Sequence, residues 1–89
     1  AIAGARVLII DDDPFMLKII ERILNMHGVI NVTCCTSGQE GLDAIGSAEA
    51  PVDIIFLDLN MPGMDGIQFV RRLDSESFRG SIILISGED

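Results

Sequence analysis

Three aspartates in a row, Asp11-Asp12-Asp13, follow directly on the apolar run Val7-Leu8-Ile9-Ile10, and a fourth, Asp58, follows directly on Ile54-Ile55-Phe56-Leu57. Runs that are apolar at every position read as strands buried on both faces, the habit of parallel sheets covered by helices. In such sheets ligands bind beyond the carboxyl ends of the strands, where neighbouring connections wind off in opposite directions. The two runs are natural neighbours at that point, so Asp58 is expected beside Asp11 and Asp12. Carboxylates gathered at a low-dielectric strand end repel one another unless a positive charge joins them. A hard cation with oxygen ligands meets that need, and Mg²⁺ takes a few carboxylates together with waters and phosphate oxygens. Asp13 has a different explanation, since with Pro14 it forms an N-cap followed by the first helical residue. The bland alternative for the other three is a solvated cluster, yet strand ends seldom carry such charges without a use.

Other chemistry-bearing residues lead less far. The segment Asp58-Leu59-Asn60-Met61-Pro62-Gly63 puts oxygen ligands or glycine at positions one, three and six of a calcium loop. Pro62 then falls at position five and Phe69 at twelve, where a bidentate Glu is required, so that reading fails. Ser86 as a nucleophile would need a base beside it, and the only histidine, His27, stands at the far end of the first helix. There it suits the negative pole of the helix dipole. Cys34 and Cys35 are adjacent and cannot staple distant segments, and on strand alternation one of them points into the core.

The elements that must position these residues follow from periodicity. Ile82-Ile83-Leu84-Ile85 is a third run apolar throughout, while residues 29–35, broken by Asn31 and Thr33, suit a strand with one wet face near an edge. Met16, Ile20, Ile23 and Leu24 recur at helical spacing after Pro14, and His27-Gly28 closes that helix. A second stripe, Phe15, Ile19 and Met26, widens the core face or makes a partner surface. Ser37 with Glu40 forms a capping box for a helix reaching about Ala48. Asp65-Gly66 opens a third helix, with Ile67, Val70 and Leu73 on one face and Met61 and Met64 packed in the loop before it. Strand and helix thus alternate, which predicts an open α/β parallel sheet with helices on both faces and right-handed crossovers.

Composition narrows the function classes. The 89 residues are 48% apolar, enough for one small folded domain. Fourteen acidic against six basic side chains give a net charge of −8, which argues against attraction to nucleic acid or an anionic membrane. No apolar run approaches a membrane span. The adjacent cysteines suit a reduced, cytoplasmic chain.

The stretch from Asp58 to Gly66 resembles the phosphoacceptor loop of response-regulator receiver domains, the switches of two-component signalling. Residues 7–13 resemble that family's first strand and acidic pair, and residues 82–87 its fourth strand, which ends in Thr or Ser followed by a small residue. The resemblance runs from Arg6 to Asp89 and leaves residues 1–5 as an N-terminal extension. It implies a flavodoxin-like sheet of strand order 2-1-3-4. It implies that Asp58 receives a phosphoryl group from a histidine kinase, and that Asp12 binds Mg²⁺ directly and Asp11 largely through water. The Asn60 backbone carbonyl would be a further ligand, and Ser86 would bond a phosphoryl oxygen. The implied partners are a sensor histidine kinase or phosphotransfer protein, and either an effector domain or self-association.

Receiver domains continue into a fifth strand headed by a phosphoryl-binding Lys. The chain is therefore expected to be C-terminally incomplete, with residues 82–85 as an open edge, since the only lysine, Lys18, sits within the first helix. Two other readings compete. One is a receiver-like interaction module that is never phosphorylated, against which the intact acidic residues argue. The other is a phosphatase of the haloacid-dehalogenase kind, whose Asp-x-Asp motif Asp11-Asp12-Asp13 resembles. That motif is followed here by Phe15 in place of Thr or Val, and the loop from Asp58 to Gly66 would go unexplained.

Overall fold

A computed structural model describes residues 4–61, 63, 66–75 and 78–85. The elements are β1 (Arg6–Ile10), α1 (Pro14–Met26), β2 (Asn31–Cys35), α2 (Gly38–Ser47), β3 (Ile54–Asp58), α3 (Gly66–Ser75) and β4 (Ser81–Ile85). All strand pairs are parallel, as the alternation of elements predicts, and the order is β2-β1-β3-β4, as the family resemblance implies. Side-chain alternation along β1 divides the core into two layers. Leu8 and Ile10 join Leu42 of α2 and Phe69 and Leu73 of α3 on one face. Val7 and Ile9 join Leu17, Ile20 and Leu24 of α1 on the other.

The helix starts follow their sequence signals, with one amendment. Asp13 caps α1, its carboxylate accepting from the Phe15 N–H at 3.0 Å with Pro14 in the first turn. Ser37 Oγ accepts from the Glu40 N–H at 3.1 Å, but the Glu40 carboxylate takes the N–H of Thr36, one residue before the cap, at 2.8 Å. The capping box is thus closed one residue further back, which ties α2 to the end of β2. The expected start of α3 at Asp65, and Met64, lie outside the described residues.

The helix faces differ from the periodicity reading. Leu17 rather than Met16 is buried on α1, where Ile23 is exposed. Phe15, Ile19 and Met26 also face outward, so they do not widen the core face. On α3, Phe69 and Leu73 are buried while Ile67 and Val70 are exposed. Both helices carry more apolar residues than one sheet face accepts. The phase is set by which of them meet the β1 and β3 side chains.

β2 is an edge strand with Cys35 buried and Cys34 exposed, in line with the alternation. β4 departs from its all-apolar sequence. It stands at the other edge, and Ile83 and Leu84 are 43% and 55% exposed. Leu84 lines a shallow apolar groove with Leu59, Ile67 and Val70. The expected open edge is present among the described residues.

Candidate functional site

Parallel pairing of β1 with β3 in the register Ile10↔Leu57 brings Asp11 and Asp58 off the sheet side by side. Both turns are pinned by one more ladder bond. The Asp11 N–H donates to the Cys35 carbonyl and the Leu59 N–H to the Ile85 carbonyl, each at 3.0 Å. Asp11 and Asp58 are buried, 4% and 8% exposed, whereas Asp12 is open to solvent. One carboxylate oxygen from each of the three lies within 4.8 Å of the others.

Two backbone groups orient this cluster. Asp11 Oδ1 accepts from the Asp13 N–H and Asp58 Oδ1 from the Asn60 N–H, both at 2.9 Å. Each is an Asx turn, in which an aspartate binds the backbone two residues on. One oxygen of each buried carboxylate is held, leaving the second oxygen of each as a further acceptor. These N–H groups add to the site residues expected from the sequence. The signal was available in the spacing Asp11 to Asp13 and Asp58 to Asn60.

Burial pushes the Asp11 carboxyl above its ordinary value of 3.8, and the charges of Asp58 and Asp12 push the same way, partly offset by the Asp13 N–H. The two buried carboxyl groups are close enough to hydrogen-bond when one is protonated. A raised pKa means that the folded chain holds this proton more tightly than the unfolded chain. Stability from this group is therefore full below pH 3.8 and is lost as pH rises through the folded value. Asp11→Asn removes the charge and keeps an oxygen for the Asp13 N–H. It is expected to raise Tm at neutral pH, where about 1 kcal/mol corresponds to roughly 4–8 °C in a domain of this size. A Tm equal to or below wild type in a calorimetric scan at pH 7 would contradict this.

The donor set is all oxygen and crowded with negative charge, which suits Mg²⁺ with water completing its shell. Asn60 joins the site through its backbone, and its side chain is exposed. Ser86 lies outside the described residues. Lys18 is exposed on α1. His27 caps the far end of α1, its Nδ1 2.9 Å from the Ile23 carbonyl. Burial pushes the Cys35 thiol up to about 11, and burial with the Glu21 carboxylate raises Cys34 as well. Two protonated thiols on opposite faces of β2 are poorly placed for redox work as a pair.

A doubly wound parallel sheet with a carboxylate cluster at the ends of β1 and β3 defines a class of α/β proteins with an acidic, cation-ready switch point. The family model for the response regulator receiver domain matches residues 7–89, and the chain belongs to that family. It is therefore a receiver domain of the two-component kind, and the phosphatase reading falls. It is 38% identical over 73 residues to the two-component response regulator ORR26 of Oryza sativa subsp. japonica, a match covering 82% of this chain and 12% of that protein. It is 34% identical over 83 residues to the nitrate/nitrite response regulator protein NarL of Escherichia coli (strain K12), covering 92% of this chain and 38% of that protein. The chain thus spans well under half the length of these relatives. Among solved structures, the receiver domain of the histidine kinase CKI1 from Arabidopsis thaliana, complexed with Mg²⁺ and BeF₃⁻, superimposes with a TM-score of 0.80 at 32% identity. That match covers 99% of this chain and 69% of the other. No helix among the described residues is long and apolar enough to cross a membrane.

Proposed function

We propose that Asp58 is the phosphoacceptor of this receiver domain and that Asp11, Asp12 and Asp58, with the Asn60 backbone carbonyl, hold the Mg²⁺ that the reaction requires. The observation that carries this reading is the pairing of two buried carboxylates, Asp11 and Asp58, with Asp12 beside them and one oxygen of Asp58 fixed by the Asn60 N–H. A fixed carboxylate is a positioned nucleophile. Its free oxygen attacks phosphorus, an acyl phosphate forms, and the bond to the donor's leaving group breaks. Asp11, Asp12 and Asp58 would hold Mg²⁺, which would supply neutralising charge to the transferring group, and most of the remaining catalysis is the positioning of Asp58. Ser86 is assigned by resemblance to the hydrogen bond with a phosphoryl oxygen.

The donor is a sensor histidine kinase or a phosphotransfer protein, and the output passes to an effector domain or to self-association. The domain itself is a phosphoacceptor rather than an enzyme acting on a separate substrate, and its place is the cytoplasm. Incubation of the chain with a small phosphodonor is expected to add one phosphoryl group by intact mass, and only with Mg²⁺ present. Amide shifts during a Mg²⁺ titration are expected at residues 11–13 and 58–60, with weak, single-site binding that Asp12→Ala abolishes. Labelling without a divalent ion, or shifts that survive Asp12→Ala unchanged, would remove the metal site from the reading.

A further inference from the structure

Gly41 is an unexplained residue on the described part of α2. It is fully inside the helix and buried, where Ala would favour helix formation more, so a packing reason is needed. That reason is the end of β1. A methyl group on Gly41 would stand 3.0 Å from Ile10 Cγ1 and closer still to Ile10 Cδ1. Carbon atoms pack at about 3.5–4.0 Å, so the overlap is of the order of 1 Å.

The overlap falls on the end of the Ile10 side chain, which can yield only into the packed core around it. Ile10 has no exposed surface and shares its core layer with Leu8, Cys35, Leu42 and Leu57. The first turn of α2 is tied to the end of β2 by the Thr36 N–H bond to Glu40 and by the Ser37 cap. Ile10 is the last residue of β1, and the next residues are Asp11, held to Cys35 by its N–H, and Asp12.

We propose that Gly41 is a positioning residue for the acidic pair: the notch it leaves in α2 seats the Ile10 δ-methyl and so fixes where β1 delivers Asp11 and Asp12 opposite Asp58. This rests on the receiver reading above. It predicts that Gly41→Ala weakens Mg²⁺ binding on the order of ten-fold, since a misplacement of about 1 Å can cost up to a hundred-fold at a reacting site. It also predicts a specific rescue. Val at position 10 lacks the δ-methyl, so the double variant Ile10→Val/Gly41→Ala loses the closest contact, keeps only the milder one at the γ carbon, and regains Mg²⁺ affinity to within about two-fold of wild type.

The test is a Mg²⁺ titration followed by the amide shifts of residues 11–13 and 58–60 in wild type, Gly41→Ala and the double variant, with thermal melts beside it. Loss in the single variant and recovery in the double support the proposal. A lower Tm with unchanged Mg²⁺ affinity would show a merely structural role and overturn it, as would a loss that the double variant does not restore. If Gly41→Ala alone does not fold, the double variant decides. Wild-type affinity supports the proposal, and weakened binding or failure to fold overturns it. A wild-type chain that binds no Mg²⁺ at these amides would instead bring down the metal site itself.

Discussion

Asp58→Ala is expected to abolish phosphoryl gain from a small phosphodonor while leaving the fold intact. Asp58 ends β3, and its carboxylate accepts the 2.9 Å bond from the Asn60 N–H, so the substitution loses the proposed nucleophile and one turn contact. No core side chain is removed. Loss of a nucleophile can cost on the order of 10⁶ in rate, so no labelling is expected on the timescale that saturates wild type. Intact mass with and without Mg²⁺ measures this. A variant that still gains a phosphoryl group at the wild-type level would show that the acceptor lies elsewhere. Recovery of the label on Asp11 would return the chemistry to the Asp-x-Asp type.

The largest loss of stability is expected from Gly80→Ala, at the start of β4. A methyl group there would stand 2.8 Å from the Asp53 carbonyl carbon, closer to its oxygen, and against the Phe78 ring. Asp53 cannot retreat, because three hydrogen bonds hold it, just ahead of β3, to β1 and β4. Its carbonyl accepts from the Ser81 N–H at 2.9 Å, its N–H donates to the Arg6 carbonyl at 2.8 Å, and its carboxylate accepts from the Arg6 N–H at 2.8 Å. Overpacking costs about 1–3 kcal/mol, and more where backbone must move. Set against a typical stability of about 5–15 kcal/mol, that is a substantial share. Tm is expected to fall by roughly 10 °C, at about 4–8 °C per kcal/mol. An unchanged Tm by circular dichroism would mean that the turn into β4 yields freely.

Much of this architecture was legible before any coordinates. Strands apolar on both faces, with acids at their carboxyl ends, predict a parallel sheet and the meeting of Asp11 with Asp58, while the strand order came from the family resemblance. The rotation of the helices was not legible. On α1 and α3, several apolar stripes satisfy the same period, and only contact with particular strand residues selects Leu17 and Phe69 over Met16 and Ile67. The exposure of β4 was legible only through the family resemblance, which left residues 82–85 at an open edge, and not through its all-apolar run. An apolar run reports what a strand tolerates, whereas exposure depends on which layers lie over it. The backbone N–H groups of Asp13 and Asn60 have no side-chain signature, and only the two-residue spacing from Asp11 and Asp58 points to them.

Asp11 and Asp58 become neighbours only through the β1–β3 pairing, between segments far apart in the chain. The cluster does not exist in an unfolded or half-paired sheet. An ion that binds there recognises only the folded chain, and so acts as a folding ligand. At a hundred times its dissociation constant it would add about 2.7 kcal/mol to the stability of the whole domain. The repulsion that strains the bare carboxylates would then leave the empty domain soft and the loaded one, with the proposed ion bound, firm. On that reading, signalling and folding would draw on a single electrostatic reserve.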